Sequence, residues 1–251
     1  MIQAVIFDLD GTLVQTERLK ALSYARAAVE LCPYTLQEGE VVEVFKAVVG
    51  RSRRDVAIAL MERFHLEEKA RGRMAEFGVA TAWQAFVQVR LRHYRSLLAD
   101  PEVLRTNQWP HNVALLEMAR RAGCKTALAT MSHCPQVQRV LDILGWQGKF
   151  DFIATRDDVE RGKPDPEIYQ LVSRELAMPP SACLVIEDSP AGVQAALEPG
   201  MHVVAVSTPF TRAQLHAAGL LPADRIVDEP ALLPQAVAHF DASLAQASKI
   251  P

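Results

Sequence analysis

The sequence predicts an α/β protein: a doubly wound (Rossmann-like) parallel sheet core with an inserted all-helical domain. Three observations predict it. From about Leu104 onward, apolar runs of strand length alternate with amphipathic helical patterns, the rhythm of a parallel sheet covered by helices on both faces. The apolar run ending at Phe7 reads as a strand of the same sheet, yet no second strand is met before Lys125. The stretch between has helical spacing and no convincing strand. The expected core domain is therefore 1–16 with 105–251, and the expected helical domain 17–104.

In chain order, Ala4-Val5-Ile6-Phe7 makes Ile2–Phe7 the first strand. Helical patterns follow at Leu19–Val29, Gly39–Val48, Arg54–Phe64 and Ala82–Leu98. Lys125–Thr130 is the next strand, and Pro135–Leu144 a helix with apolar Val137, Val140, Leu141 and Leu144. Phe152–Ala154 is a short strand before the helix Pro166–Leu176. The strand Ala182–Ile186 leads into the helix Pro190–Leu197. His202–Val206 and a short Arg225–Val227 complete the sheet.

At 251 residues, with 49% hydrophobic and 23% charged side chains, the chain has the composition of a soluble globular protein. It is long enough for one large core and a smaller second domain. A net charge of -3 carries no nucleic-acid footprint. No apolar run is long enough for a membrane span. The opening MIQAVIFDLDGT is too short and acidic for a signal peptide. Cys32, Cys124, Cys134 and Cys183 form no CxxC pair and suit a reducing compartment. The expectation is a cytoplasmic protein with no nucleic-acid or membrane partner. Its oligomeric state is not written in the sequence.

The chemistry starts at Asp8-Leu9-Asp10-Gly11-Thr12, directly after the first strand. Two carboxylates at i and i+2 leave the strand end together, where they can bind a cation and divide nucleophilic and proton-transfer roles. Three distant segments add the other parts of a phosphate-handling site: Leu128-Ala129-Thr130, Gly162-Lys163-Pro164-Asp165-Pro166, and Leu184-Val185-Ile186-Glu187-Asp188-Ser189. Ligands of open α/β sheets bind at the carboxyl ends of the strands. There the Thr130 hydroxyl can donate to a phosphoryl oxygen, and Lys163 can neutralise a transferring group. Alone, each has a plain reading: an Asp-Gly turn, a strand-end hydroxyl, a surface lysine, an acidic loop start. Together they point to one site.

In this order the four segments are similar to the motifs of the haloacid dehalogenase superfamily, over nearly the whole chain. The resemblance implies a Mg²⁺-dependent enzyme acting on a small phosphorylated metabolite. Asp8 would be the nucleophile that forms an aspartyl-phosphate, and Asp10 the general acid and then base. The implied Mg²⁺ ligands are Asp8, the backbone carbonyl of Asp10, and Asp188, with Glu187 ligating directly or through water. Gly11 would let the chain turn and bring N–H groups to the phosphate, together with Thr130 and Lys163, and Thr12 would brace that turn. Asp165-Pro166 and Ser189-Pro190 each read as an N-cap followed by proline at N1. His133 could also touch the phosphate.

An aspartate at position 10 resembles the phosphatases and phosphomutases of the superfamily. The helical insertion resembles its C1-type cap, and Ile186–Gly192 is similar to the β-phosphoglucomutase and sugar-phosphate phosphatase group. In that group the turn Val49–Asp55 would set specificity through Arg51, Ser52 and Arg53. An arginine at 53 cannot form the Schiff base of the phosphonatases, but its planar fork suits a second phosphate. Val49, and Lys20 in Gln15-Thr16-Glu17…Lys20, depart from the mutase pattern. A phosphatase of phosphosugars therefore ranks first, a phosphosugar mutase second, and a non-catalytic phospho-acceptor or binding protein third. Phosphoglycolate-like acids and nucleotides stay open as substrates. The insertion carries 14 Lys and Arg against 12 Asp and Glu, the rest 13 against 18, a charge split that suits an anionic substrate. The cap is expected to open and close about linkers at Leu13–Thr16 and Leu98–Thr106.

Overall fold

Strand β1 (Ala4–Phe7) is buried along all four residues, as its uninterrupted apolar run requires of a strand covered on both faces. It forms the centre of a six-stranded parallel sheet in the order β3-β2-β1-β4-β5-β6. The other strands are β2 (Lys125–Ala129), β3 (Phe152–Ala154), β4 (Cys183–Glu187), β5 (His202–Val206) and β6 (Ile226–Val227). Phe7 lies opposite Leu128 of β2 on one side and Ile186 of β4 on the other. Since β2 and β3 extend one way and β4 to β6 the other, the winding reverses at β1. A crevice opens beyond the carboxyl ends of strands at such a switch point. The doubly wound α/β class is thus observed.

This computed structural model describes residues 2–49 and 52–239. The chain divides into two compact units, one of Met1–Gln15 with Leu104–Pro251 and one of Thr16–Val103. The second holds α1 (Thr16–Leu31), α2 (Glu38–Lys46), α3 (Arg53–Phe64), α4 (Glu67–Arg71), α5 (Met74–Phe77) and α6 (Ala82–Leu97). Tyr24 on α1 anchors its core, with ring centroids 5.6 Å from Phe45 and 5.8 Å from Phe86. The short α4 and α5 escaped the periodicity reading because neither completes two turns.

The helix α7 (Pro101–Thr106) spans the boundary between the units. The first unit adds α8 (Pro110–Arg121), α9 (Cys134–Leu144), α10 (Glu167–Glu175), α11 (Pro190–Leu197) and α12 (Arg212–Ala218). Of these, α8 and α12 correct the sequence reading. The segment after Trp109, given no element from sequence, is a helix with proline at its start, where the missing N–H costs nothing. One face of the sheet closes over Ile6, Ala129, Val185 and Val203 with Tyr169 and Val172 of α10 and Val193 of α11. All four cysteines are free. Among the described residues no helix is long and apolar enough to cross a membrane.

Candidate active site

Beyond Phe7 the chain still belongs to the sheet, since the Asp8 N–H donates to Ile186 O at 3.0 Å. It then coils back. Leu13 and Val14 N–H both return to Leu9 O at 3.0 Å, and Gly11 N–H donates to Val14 O at 2.7 Å. The loop is pinned by the start of α8: Trp109 N–H donates to Leu13 O at 2.9 Å, and Asn112 Nδ2 to Thr12 O at 2.6 Å. The Gly11 N–H is spent within the loop. Among the described residues the Thr12 hydroxyl is buried without a partner, and the Thr12 carbonyl, held by Asn112, braces the turn. Glycine is needed at 11 for other reasons. Its φ is +91°, and a Cβ there would overlap the Asp188 carboxylate.

Lys163 joins the carboxyl ends of three strands. Its Nζ donates to Asp8 Oδ1 at 2.7 Å, to Glu187 Oε1 at 2.7 Å and to Ala129 O at 3.0 Å. It also lies 5.1 Å over the Tyr169 ring. Burial alone would pull this ammonium down, but Asp8 and Glu187 outweigh it and hold its pKa well above the ordinary lysine value.

Glu187 ends β4 with only 1% of its surface exposed. Its Oε1 accepts from Lys163 and, at 3.2 Å, from the Tyr169 hydroxyl. Its Oε2 accepts from Asp188 N–H at 2.8 Å, Ser189 N–H at 2.9 Å and Ser189 Oγ at 3.0 Å. Both oxygens therefore accept from protein donors. Ser189 caps α11 as expected, accepting the Gly192 N–H at 3.1 Å. A Cβ on Gly192 would overlap the Glu187 carboxyl. Asp165 also caps, accepting Glu167 N–H at 3.1 Å, though Pro166 takes the N-cap slot rather than N1.

Asp10 is held elsewhere. Its Oδ2 accepts from Ser132 Oγ at 2.5 Å and from Thr130 Oγ1 at 3.4 Å. Thr130 Oγ1 in turn accepts the Ser132 N–H at 3.1 Å. The threonine hydroxyl expected on the phosphate is thus engaged by Ser132 and Asp10.

The donor set fits a hard divalent cation. Asp8 and Asp188, 5% and 3% exposed, follow the adjacent strands β1 and β4. Burial pushes Asp8 up to about 8, with Glu187 and Asp10 adding to it, although Lys163 pulls the other way. Lys163 offsets only part of this burial, and a cation beside Asp8 would favour its ionised form further. Among the described residues no three His, Cys, Asp or Glu side chains form a ready-made metal cluster. The implied set of two carboxylates and the Asp10 carbonyl needs no such triad.

His133 turns its Nδ1 to Asp157 Oδ1 at 2.6 Å in an exposed pair. In the helical unit, Arg51 lies outside the described residues. Ser52 caps α3, accepting Asp55 N–H at 3.2 Å and donating to Asp55 Oδ2 at 2.7 Å. Arg53 and Arg54 line a groove of about 330 Å³ with Trp83, Gln84 and Gln88 of α6. Lys20 pairs with Glu17 at 2.7 Å. Four supporting residues were missed from sequence: Ser132, Tyr169, Asn112 and Gly192. Only Gly192 carried a signal, as a glycine in the first turn of a helix where alanine would be favoured.

A switch-point crevice lined by buried carboxylates and one lysine defines an enzyme site rather than a binding groove. Residues 2–200 match the model of the haloacid dehalogenase-like hydrolases, and the chain belongs to that family. Protein CbbY of Cereibacter sphaeroides is 32% identical over 233 residues, covering 91% of this chain and 92% of that one. A phosphorylated carbohydrates phosphatase of Thermotoga maritima is 31% identical over 200 residues, covering 79% and 82%. Among solved structures, β-phosphoglucomutase from Clostridium difficile shares the fold with a TM-score of 0.63 at 23% identity, covering 96% of this chain and 100% of that one. The chain is thus similar to sugar-phosphate phosphatases in sequence and to the mutases in fold.

Proposed function

We propose that the protein is a phosphatase of small phosphorylated carbohydrates that works through a phosphoryl group carried on Asp8. The observation that carries the reading is the buried Asp8–Lys163–Glu187 array at the switch point, with Asp10 turned away onto Ser132. Asp8 Oδ1 is bonded to Lys163, which leaves Oδ2 as the attacking oxygen. As the new O–P bond forms, the bond from phosphorus to the sugar oxygen breaks, and Asp10 gives that oxygen its proton. Asp10 then takes a proton from the water that attacks the aspartyl-phosphate, releasing inorganic phosphate and restoring the Asp8 carboxylate. Lys163 holds charge on the transferring group, and Glu187 with Tyr169 holds Lys163. Asp8, the Asp10 carbonyl and Asp188 would hold Mg²⁺, which supplies charge neutralisation among these anions.

The relative named for phosphorylated carbohydrates supports the substrate class. The Lys20–Glu17 pair and the buried Val49 favour hydrolysis over mutase chemistry, since both positions depart from the mutase pattern. The test is phosphate release with Mg²⁺ across phosphosugars, phospho-acids and nucleotides, with sugar isomers followed in the same reactions. Release from a phosphosugar, abolished by Asp8→Asn in a folded protein, is expected. An active Asp8→Asn variant overturns the nucleophile, and isomer formation without free phosphate replaces the phosphatase by the mutase.

A further inference from the structure

The loop after Asp8 is tied to residues 107–112 at several points, all within the first unit. Gln15 N–H donates to Asn107 O at 2.7 Å, Val14 pairs with Gln108 in an antiparallel bridge, and Trp109 N–H donates to Leu13 O at 2.9 Å. These are backbone ties, open to almost any sequence. Asn112 adds a side-chain tie, Nδ2 to Thr12 O at 2.6 Å. It is the third residue of α8 and only 1% exposed. Asparagine is a poor helix former, and burying its amide is costly unless the amide is bonded. What favours asparagine at this position is therefore what its amide binds.

Half of that amide is unspent. Asn112 Oδ1 is buried with no hydrogen-bond partner among the described residues, and so are Thr12 Oγ1 and Trp109 Nε1. The three residues are bonded to one another. The tie to Thr12 O holds the Asn112 amide against Thr12. Trp109 is the N-cap of α8, and Asn112 N–H donates to its carbonyl at 3.1 Å; side chains three apart on such a turn are neighbours. Their chemistry is complementary, since the indole N–H only donates, the amide oxygen only accepts, and the hydroxyl does either. A single water that accepts from the indole, donates to the amide and bonds the hydroxyl satisfies all three, with the about three bonds usual for a buried water.

We propose that Asn112 is a positioning residue for Asp10, and that its Oδ1, Thr12 Oγ1 and Trp109 Nε1 together hold one buried water. Asn112 acts through the Thr12 carbonyl, two residues beyond Asp10. The Asp10 backbone is bridged to Val14, and Gly11 N–H is bonded to Val14 O at 2.7 Å. A turn that slips at Thr12 therefore carries Asp10 with it, away from the oxygen it must protonate. The positioning role rests on the phosphatase reading; the water does not.

The test begins with crystal structures of the full chain, wild type and Asn112→Ala, and ends with kinetics. In the wild type a water within about 3.2 Å of both Trp109 Nε1 and Asn112 Oδ1 is expected. No water there, or either atom paired with another protein group, overturns the water. In Asn112→Ala the Thr12 carbonyl is expected to turn and Asp10 to move with it. A loop that superimposes on the wild type overturns the positioning role, whatever the activity. On folded protein, kcat for the preferred phosphosugar should fall about tenfold to a hundredfold, as for a misplaced catalytic group, with KM held within about twofold. A merely structural role gives the other pattern, lowered melting with kcat per folded molecule unchanged, and that result also overturns the positioning. If Asn112→Ala does not fold, Asn112→Val carries the same measurements, because its apolar side chain fills the space that alanine leaves open. Failure of the phosphatase reading appears separately, as no phosphate released by the wild type from any ester, and the two structures then decide alone.

Discussion

Replacing Glu187 by glutamine tests whether this carboxylate organises the site or ligates the metal. Glu187 accepts five hydrogen bonds while only 1% exposed. The substitution keeps the shape but turns one acceptor oxygen into an NH₂ group, which must face donors whichever way the amide is placed. Facing Lys163 and Tyr169, it removes one charge-assisted and one neutral bond; facing the backbone, it removes three. The lesser loss amounts to about 3–4 kcal/mol, since bonds to charged groups contribute about 1.5–3 and neutral ones about 1. Lys163 keeps Asp8 and the Ala129 carbonyl, which prevents the larger cost of a wholly unpaired buried charge. For a chain of this length the midpoint of thermal unfolding should fall by roughly 6–16 °C. The assay is thermal unfolding of wild type and Glu187→Gln in EDTA, where no divalent cation contributes. A direct ligand would show the opposite pattern, with unchanged stability in EDTA and weaker Mg²⁺ activation. A shift below about 2 °C in EDTA refutes the reasoning.

Gly11→Ala should lower kcat/KM by at least about tenfold, because the new Cβ displaces the Asp188 carboxylate and meets a strained φ. Gly78→Ala, also at positive φ but with nothing within 4 Å, should cost only about 1 kcal/mol and leave turnover intact; equal kcat/KM for the two variants would count against the steric argument. Ser132→Ala removes the hydroxyl on Asp10 Oδ2 and should lower kcat about tenfold to a hundredfold with little change in melting, so an unchanged kcat would separate Ser132 from the proton transfer. In the helical unit, burial would raise the Glu30 pKa, but hydrogen bonds from Arg73, Arg92 and His93 outweigh it and bring it down to about 2. A depressed carboxylate stabilises fully above its unfolded value of 4.5 and loses that contribution as pH falls through about 2. Half-exposed partners screen the effect to about 1 kcal/mol. Wild type should exceed Glu30→Gln by that amount at neutral pH in urea unfolding and converge with it near pH 2; a gap that persists in acid would rule the ion cluster out as its source.

The sheet and its site ends were legible because strand-length apolar runs have no other stable arrangement when they alternate with amphipathic helices. Asp8, Asp10, Lys163, Glu187 and Asp188 stood out for a related reason, since carboxylates at the ends of buried strands, and a lysine in a Gly-Lys-Pro-Asp-Pro loop, are chemically conspicuous. Their partners were not conspicuous. Asn112 reaches the Thr12 carbonyl from 100 residues away, and an asparagine early in a helix announces nothing about that contact. Tyr169 looked like one more apolar position of α10, and only the fold shows that its hydroxyl meets Glu187.

These placements share one physical cause: side-chain chemistry gives a residue's capacity, and the backbone around it decides how that capacity is used. Both Glu187 oxygens were open until the turn into α11 presented two N–H groups to one of them, with Lys163 and Tyr169 on the other. Gly11 could have offered its N–H until the loop folded back on Val14. Thr130 could have faced a phosphate until Ser132 and Asp10 closed around its hydroxyl. In each case the polar group was buried, and burial obliges such groups to find partners within the protein wherever geometry allows. The Thr12 hydroxyl and Arg90 Nε are among the exceptions: buried polar atoms that the described residues leave without a partner.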